Sequence, residues 1–197
     1  KVELDSAPSF APSELNSNNN NASAPAAEGK KKTILTPVPY ADAAQPLAHN
    51  ATISAPHVHA MCLEPIAAII EKQPGPFKIL DIGSGSAYVT MVIAHMLKIS
   101  NKSGKIYGIE HMDDLVKQGI ENCKLDPNSR EFLEQSNAKI NVEFSCGDGM
   151  LGLENQAPFD LIHVGAGANA LPEKLASQLV IKHGVMIVPV LFDPESP

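Results

Sequence analysis

No run of apolar residues in this 197-residue chain reaches the length of a bilayer span, which excludes a membrane-spanning helix from the residues given. Basic residues are scarce too. Fifteen Lys and Arg against 22 Asp and Glu leave a formal net charge of −7, the wrong sign for a dedicated nucleic-acid binder. Cysteine is rarer still: Cys62, Cys123 and Cys146 lie far apart, form no C-x-x-C pair and have no histidine at ligand spacing. Free, mostly buried thiols in a reducing compartment are the expectation. His57 and His59 resemble a metal pair but lack a third partner, so no metal is expected. No leader of secretory type is expected, and no internal repeat runs through the sequence. We expect a soluble, cytoplasmic monomer with no nucleic-acid partner and no membrane association.

What is present divides unevenly. Residues 1–38 are rich in Ser, Ala, Pro and Asn, with an asparagine run at Asn18–Asn21 and a basic cluster at Lys30–Lys32. Such a composition offers too little apolar surface to offset the entropy of ordering it, so a disordered low-complexity tail is expected there. Residues 39–192 are expected to form one domain, with 193–197 a short tail. Within the domain, His57–Ile70 has helical periodicity, with Ser54 as a possible N-cap, Pro56 suited to the first turn, and Pro65 predicting a kink or a division. Strands are predicted at Lys78–Ile82, Lys105–Glu110, Ile140–Ser145, Phe159–Val164 and Val185–Val190, and further helices at Tyr88–Leu97, Asp113–Cys123 and Leu171–Ile181. This alternation predicts an α/β fold: a mostly parallel sheet with helices on both faces.

In an open parallel sheet, ligands bind beyond the carboxyl ends of the strands, near the point where strand order reverses. The first such end carries Asp81, followed by Gly83 and Gly85, a turn that lets backbone approach a ligand closely. Asp81 offers an acceptor for a cationic amino group or for a water held by one. A dinucleotide fingerprint would need a further glycine three places after Gly85; the bulky Tyr88 stands there, which disfavours NAD. Glu110 ends the second strand, where a carboxylate can accept from both hydroxyls of a ribose. Asp148, between Gly147 and Gly149 after the third strand, can meet the amino group of an adenine. Acidic strand ends around a glycine turn suit a nucleoside bearing an amino-acid part and a positive centre, a description that S-adenosylmethionine fits.

Asn50-Ala51-Thr52-Ile53-Ser54-Ala55-Pro56-His57-Val58-His59-Ala60 closely resembles the signature of protein-L-isoaspartate (D-aspartate) O-methyltransferases. Leu80–Ser86, Gly108–His111, Gly147–Gly149, Ala157–Asp160 and Ile162–Ala166 continue the resemblance in unbroken order. It implies a Rossmann-like methyltransferase fold that uses S-adenosyl-L-methionine and releases S-adenosyl-L-homocysteine. It also implies an acceptor, the free carboxylate of L-isoaspartyl or D-aspartyl residues in damaged proteins and peptides. The residue matching the family's active-site serine is Ser54, and the hydroxyl of Thr52 stands beside it. Matching cofactor contacts are Ala51, Thr52, Ile53, Ser54, His59, Asp81, Glu110, Asp148 and Gly149, with Gly83 and Gly85 in the turn. His163, after an apolar run, reads as structural. Ala87 and Met150 depart from the family pattern, which usually has Gly and Arg there. The chain stops just after its fifth predicted strand, so the family's last strands are expected to be lacking. A catalytically silent, methyltransferase-like binding module is the competing reading.

Overall fold

The structure, a computed structural model, describes residues 38, 40–47, 49–134 and 139–190. The expected tails therefore lie outside the described residues, apart from Val38. Strands β1 (Gln45–Pro46) and β2 (Thr52–Ile53) form a small antiparallel hairpin ahead of helix α1 (Pro56–Lys72). There follow β3 (Phe77–Ile82), α2 (Tyr88–Ile99), β4 (Gly104–Glu110), α3 (Asp113–Leu125), α4 (Pro127–Glu134), β5 (Ile140–Cys146), β6 (Leu161–Val164), α5 (Glu173–Ala176) and β7 (Val185–Ile187).

Five strands make one parallel sheet in the order β5-β4-β3-β6-β7. The chain lays β3, β4 and β5 outward in one direction, then crosses back to place β6 and β7 on the other side of β3. Strand order thus reverses between β3 and β6, where a crevice opens at the carboxyl ends. β3, central and covered on both faces, is apolar apart from Lys78 and Asp81, close to the apolar runs of parallel strands in such sheets. Ile79, Ile106, Val142 and Leu161 pack on one side against α1, α2 and the Cys123 and Phe132 side chains of α3 and α4. Leu80, Ile82, Tyr107, Ile109 and Ile162 pack on the other with Phe159 and with Leu175 of α5. This is the expected α/β, Rossmann-like architecture.

Several local expectations are corrected. Helix α1 runs as one element through Pro65. The carbonyl that loses its partner belongs to Met61, and both residues are exposed, so water can satisfy it. The N-cap of α1 is Ala55, with no side-chain cap bond, so Ser54 does not serve as a cap. The helix expected over Leu171–Ile181 shrinks to four residues. Beyond it Phe159 donates to the Gln178 carbonyl at 2.8 Å and accepts from the Val180 N–H at 2.8 Å, which draws that segment into extended pairing. Its outlying apolar residues, Leu171 and Ile181, face solvent. The sequence reading did not include α4. Its start was legible, since Pro127 suits a first turn and the Asp126 carboxylate accepts from the Ser129 hydroxyl at 2.6 Å. Strand β7 ends at Ile187, short of the predicted Val190. Of the cysteines, Cys123 is buried, Cys62 half-buried and Cys146 exposed, so the thiols are less buried than expected.

Candidate active site

The turn after β3 is built by backbone hydrogen bonds from its neighbour strand. Gly83 and Ser84 both donate to the Ile109 carbonyl, at 2.8 and 3.2 Å. Gly83 and Gly85 adopt φ of +78° and +50°, the left-handed region that glycine enters without steric cost. Gly165, after β6, closes the switch point by donating to the Ile82 carbonyl at 2.7 Å. Ala87, at the N-cap of α2, also takes a left-handed φ of 70°, so the family's departure at this position falls on a backbone where a methyl group is strained.

Above this crevice lies a cleft of about 290 Å³, walled by the hairpin, by α1 and by the two glycine turns. Thr52, Ile53, Ser54, His59, Gly83 and Gly85 line it, so six of the expected site residues meet there. Cys62, Tyr88 and His163 line it as well, and sequence reasoning had given none of them a ligand-facing place. A larger cavity of about 390 Å³ lies by Pro74–Phe77, Asp160 and His183, where β3 and β6 begin and away from the carboxyl ends of the strands.

The other expected residues stand around the cleft without lining it. Glu110 is buried at the end of β4 and organises the adjoining loop. Its Oε2 accepts from the Gly85 N–H at 3.2 Å, and its Oε1 from the N–H groups of His111 and Met112 at 2.8 and 3.3 Å. Asp148 is exposed, and its Oδ1 accepts from the Met150 N–H at 2.9 Å, opening a short 3-10 turn that includes Gly149. Ala51 accepts from the Leu47 N–H at 2.8 Å across the hairpin. Asp81, expected to be open to a ligand, is only 1% exposed. Its Oδ1 is 2.7 Å from His163 Nδ1, and its Oδ2 accepts from the Thr90 hydroxyl. Both oxygens are thus held within the protein, and Asp81 orients a histidine beneath the cleft.

Electrostatics separate the two cleft histidines. Burial would lower the pKa of His163, but its bonds to Asp81 and Cys62 outweigh that cost and push it up to about 10. His163 therefore carries a proton at neutral pH. His59 moves the other way: burial lowers its pKa first, and the charge of His163 lowers it further. A neutral ring results, 5.0 Å from the Tyr88 ring centroid. Its Nε2 is buried and has no hydrogen-bond partner among the described residues. A buried polar atom without a partner is costly unless a ligand meets it. That orphan nitrogen beside a glycine turn fits a ligand with polar groups. Among the described residues, no group of three or more His, Cys, Asp or Glu gathers as a metal site.

The sequence profile of the protein-L-isoaspartate(D-aspartate) O-methyltransferase family matches residues 29–195. A protein-L-isoaspartate O-methyltransferase of Triticum aestivum is 41% identical over 152 residues, covering 77% of this chain and 61% of the relative. Its counterpart from Caenorhabditis elegans is 40% identical over 152 residues, covering 77% and 62%. The chain thus spans about three-fifths of the length of these curated relatives. A Plasmodium falciparum crystal structure, described as a protein-L-isoaspartate O-methyltransferase in complex with S-adenosyl-L-homocysteine, superposes with a TM-score of 0.67. It is 32% identical, and the match covers 81% of this chain and 71% of that one. A SAM-dependent methyltransferase from Agrobacterium tumefaciens, 12% identical, shares the fold with a TM-score of 0.52 over 70% of this chain and 46% of that one.

Proposed function

The chain belongs to the protein-L-isoaspartate (D-aspartate) O-methyltransferase family, and on that premise we propose that it methylates the free carboxylate of L-isoaspartyl or D-aspartyl residues in damaged proteins and peptides. The donor is S-adenosyl-L-methionine and the released product S-adenosyl-L-homocysteine. The ester so formed opens the way to repair. The observation that carries this reading is the meeting of the Thr52–Ser54 segment with the Gly83–Gly85 turn in one cleft, together with the partnerless Nε2 of His59.

When bound, S-adenosyl-L-methionine supplies a methyl group activated by its sulfonium sulfur. This chain's residues have a lighter task, because the acceptor carboxylate is ionised near neutral pH and needs no strong general base. Thr52 and Ser54 hold that carboxylate through their hydroxyls and nearby backbone N–H groups, aligning it with the methyl group. Since Ala55 rather than Ser54 occupies the cap position of α1, the Ser54 hydroxyl is not committed to the helix. Gly83 and Gly85 bring backbone against the amino-acid part of the cofactor. Ala51 and Ile53 shape the hairpin side, and the neutral His59 offers its Nε2 to a polar group. Glu110 takes the ribose hydroxyls; Asp148 and Gly149 receive the adenine. Asp81 acts from beneath as a positioning residue, through His163. Water is kept from the reacting atoms by the hairpin and α1.

We assign the working protein to the cytoplasm as a monomer. Its free cysteines support a reducing compartment, and none of the described helices is long and apolar enough to cross a membrane.

Transfer of a labelled methyl group to an isoaspartyl peptide, with the aspartyl peptide as control, tests the proposal. A base-labile ester on the isoaspartyl peptide alone is expected. A folded sample that binds S-adenosyl-L-homocysteine yet transfers nothing would instead be the silent binding module.

A further inference from the structure

We propose that His163 selects a charged acceptor: its Nε2–H donates into the cleft to the carboxylate that receives the methyl group, and buried Asp81 and Thr90 hold it in that role. The inference rests on the function proposed above and adds how an acid is told from its amide. Hydroxyls do not make that choice, because the Thr52 and Ser54 oxygens donate to a carboxylate and to a carboxamide oxygen alike. Among the described residues that line the cleft there is no Lys, Arg, Asp or Glu, so a cation in its wall must be a histidine. His59 is the neutral one, which leaves His163.

The charge on His163 follows from its contacts. Parallel pairing of β3 with β6 sets Asp81 directly beside His163, with Oδ1 2.7 Å from Nδ1. The other Asp81 oxygen accepts from the hydroxyl of Thr90, in the first turn of α2. Asp81, Thr90 and His163 are 1%, 0% and 4% exposed. A carboxylate buried to that degree needs a cation against it, and the imidazolium is the one that its described contacts supply. The rise of the His163 pKa to about 10 agrees with this.

Because Nδ1–H is spent on Asp81, only Nε2–H is left to donate elsewhere. The ring reaches the wall of the cleft by its Cε1 edge: a Cβ built at Gly165 would lie 3.8 Å from Cε1. Glycine at that position leaves the edge uncovered beside the turn of Gly83 and Gly85. Thr90 does not line the cleft and acts through the other two, as a positioning residue. Its hydroxyl fixes one oxygen of Asp81, so the carboxylate keeps the other against the imidazole and the ring cannot turn.

The test compares an isoaspartyl peptide with the same peptide carrying a carboxamide in place of the free carboxylate. Each is titrated calorimetrically into the full chain saturated with S-adenosyl-L-homocysteine, so that no turnover intervenes. The unaltered chain is expected to bind the carboxylate peptide about ten-fold or more tightly than the amide, the scale of a charge-assisted hydrogen bond. His163→Gln is expected to abolish that preference and to leave the affinity for S-adenosyl-L-homocysteine as it was. Thr90→Val keeps the side chain's shape without its hydroxyl and is expected to lose part of the preference. Thr90→Ser, which keeps the hydroxyl and loses a methyl group, is expected to retain it, the reverse of what a packing role would give. A preference that survives in His163→Gln, or one that Thr90→Val keeps in full, overturns the proposal. Should His163→Gln fail to fold, the two Thr90 variants decide. An unaltered chain that methylates the isoaspartyl peptide yet binds both peptides equally overturns this inference alone. One that binds neither overturns the function proposed above as well.

Discussion

At the scale of single residues, the buried Asp81–His163 pair carries the clearest energetic consequences. Removing one partner of a buried ion pair strands the other's charge, so Asp81→Ala is expected to cost about 3–5 kcal/mol in a denaturant titration. The pair also makes stability depend on pH. The folded pKa of His163, about 10, stands above its unfolded value near 6.5. Its contribution is therefore complete below about pH 6.5 and is lost as pH rises through about 10. Denaturation midpoints measured from pH 6 to 10 should fall more steeply for the unaltered chain than for His163→Gln. Ser54 gives the opposite pattern. Because it caps no helix, Ser54→Ala should change stability by less than about 0.5 kcal/mol. Methyl transfer should fall at least about ten-fold in the same variant, the scale of a lost charge-assisted hydrogen bond of about 1.5 kcal/mol or more. A drop in cofactor affinity alone would contradict the role assigned to it.

At the scale of elements, α1 carries the cleft's histidine and cysteine on one side and an unfavourable proline on its exposed face. Pro65→Ala restores a helical N–H to the Met61 carbonyl. Proline costs about 3 kcal/mol against alanine inside a helix, and its stiffening of the unfolded chain returns up to about 1 kcal/mol, so a gain of about 2–3 kcal/mol is expected on chemical denaturation. Elsewhere close packing leaves no room. A Cβ at Gly108 of β4 would sit 2.5 Å from the Phe144 ring on β5. Gly108→Ala should accordingly cost about 1–3 kcal/mol by overpacking. The hairpin β1–β2 shows how a short element can matter for function: two residues per strand suffice to lay Thr52 and Ser54 over the glycine turn. Nothing in the alternation of its residues marked it, because a two-residue strand has no period to detect.

At the scale of the whole molecule, the parallel sheet gathers residues from segments spread over more than half the chain. Hairpin, α1, the β3 turn and β6 must all dock before the cleft exists, so a ligand that binds only the folded state stabilises all of them together. S-adenosyl-L-homocysteine at 100 times its dissociation constant should raise unfolding free energy by about 2.7 kcal/mol, seen as an upward shift in thermal midpoint. A cleft serving no nucleoside ligand would show no shift.

The sequence by itself determined the alternation of strands and helices, the glycine turn after β3, the acid at the end of β4 and the family signature around Ser54. These are written in local periodicity, in backbone conformations that demand glycine and in contiguous motifs. Only the tertiary structure decided which chemistry-bearing residues meet. Asp81 looks like a ligand-facing acid when read along the chain. Parallel pairing of β3 with β6 sets it opposite His163, and burial then commits both its oxygens. The partnerless nitrogen of His59 and the meeting of Cys62 with His163 in one cleft likewise follow from where α1 sits against the glycine turn. Contacts between distant segments depend on sheet order and helix docking, which no local pattern encodes.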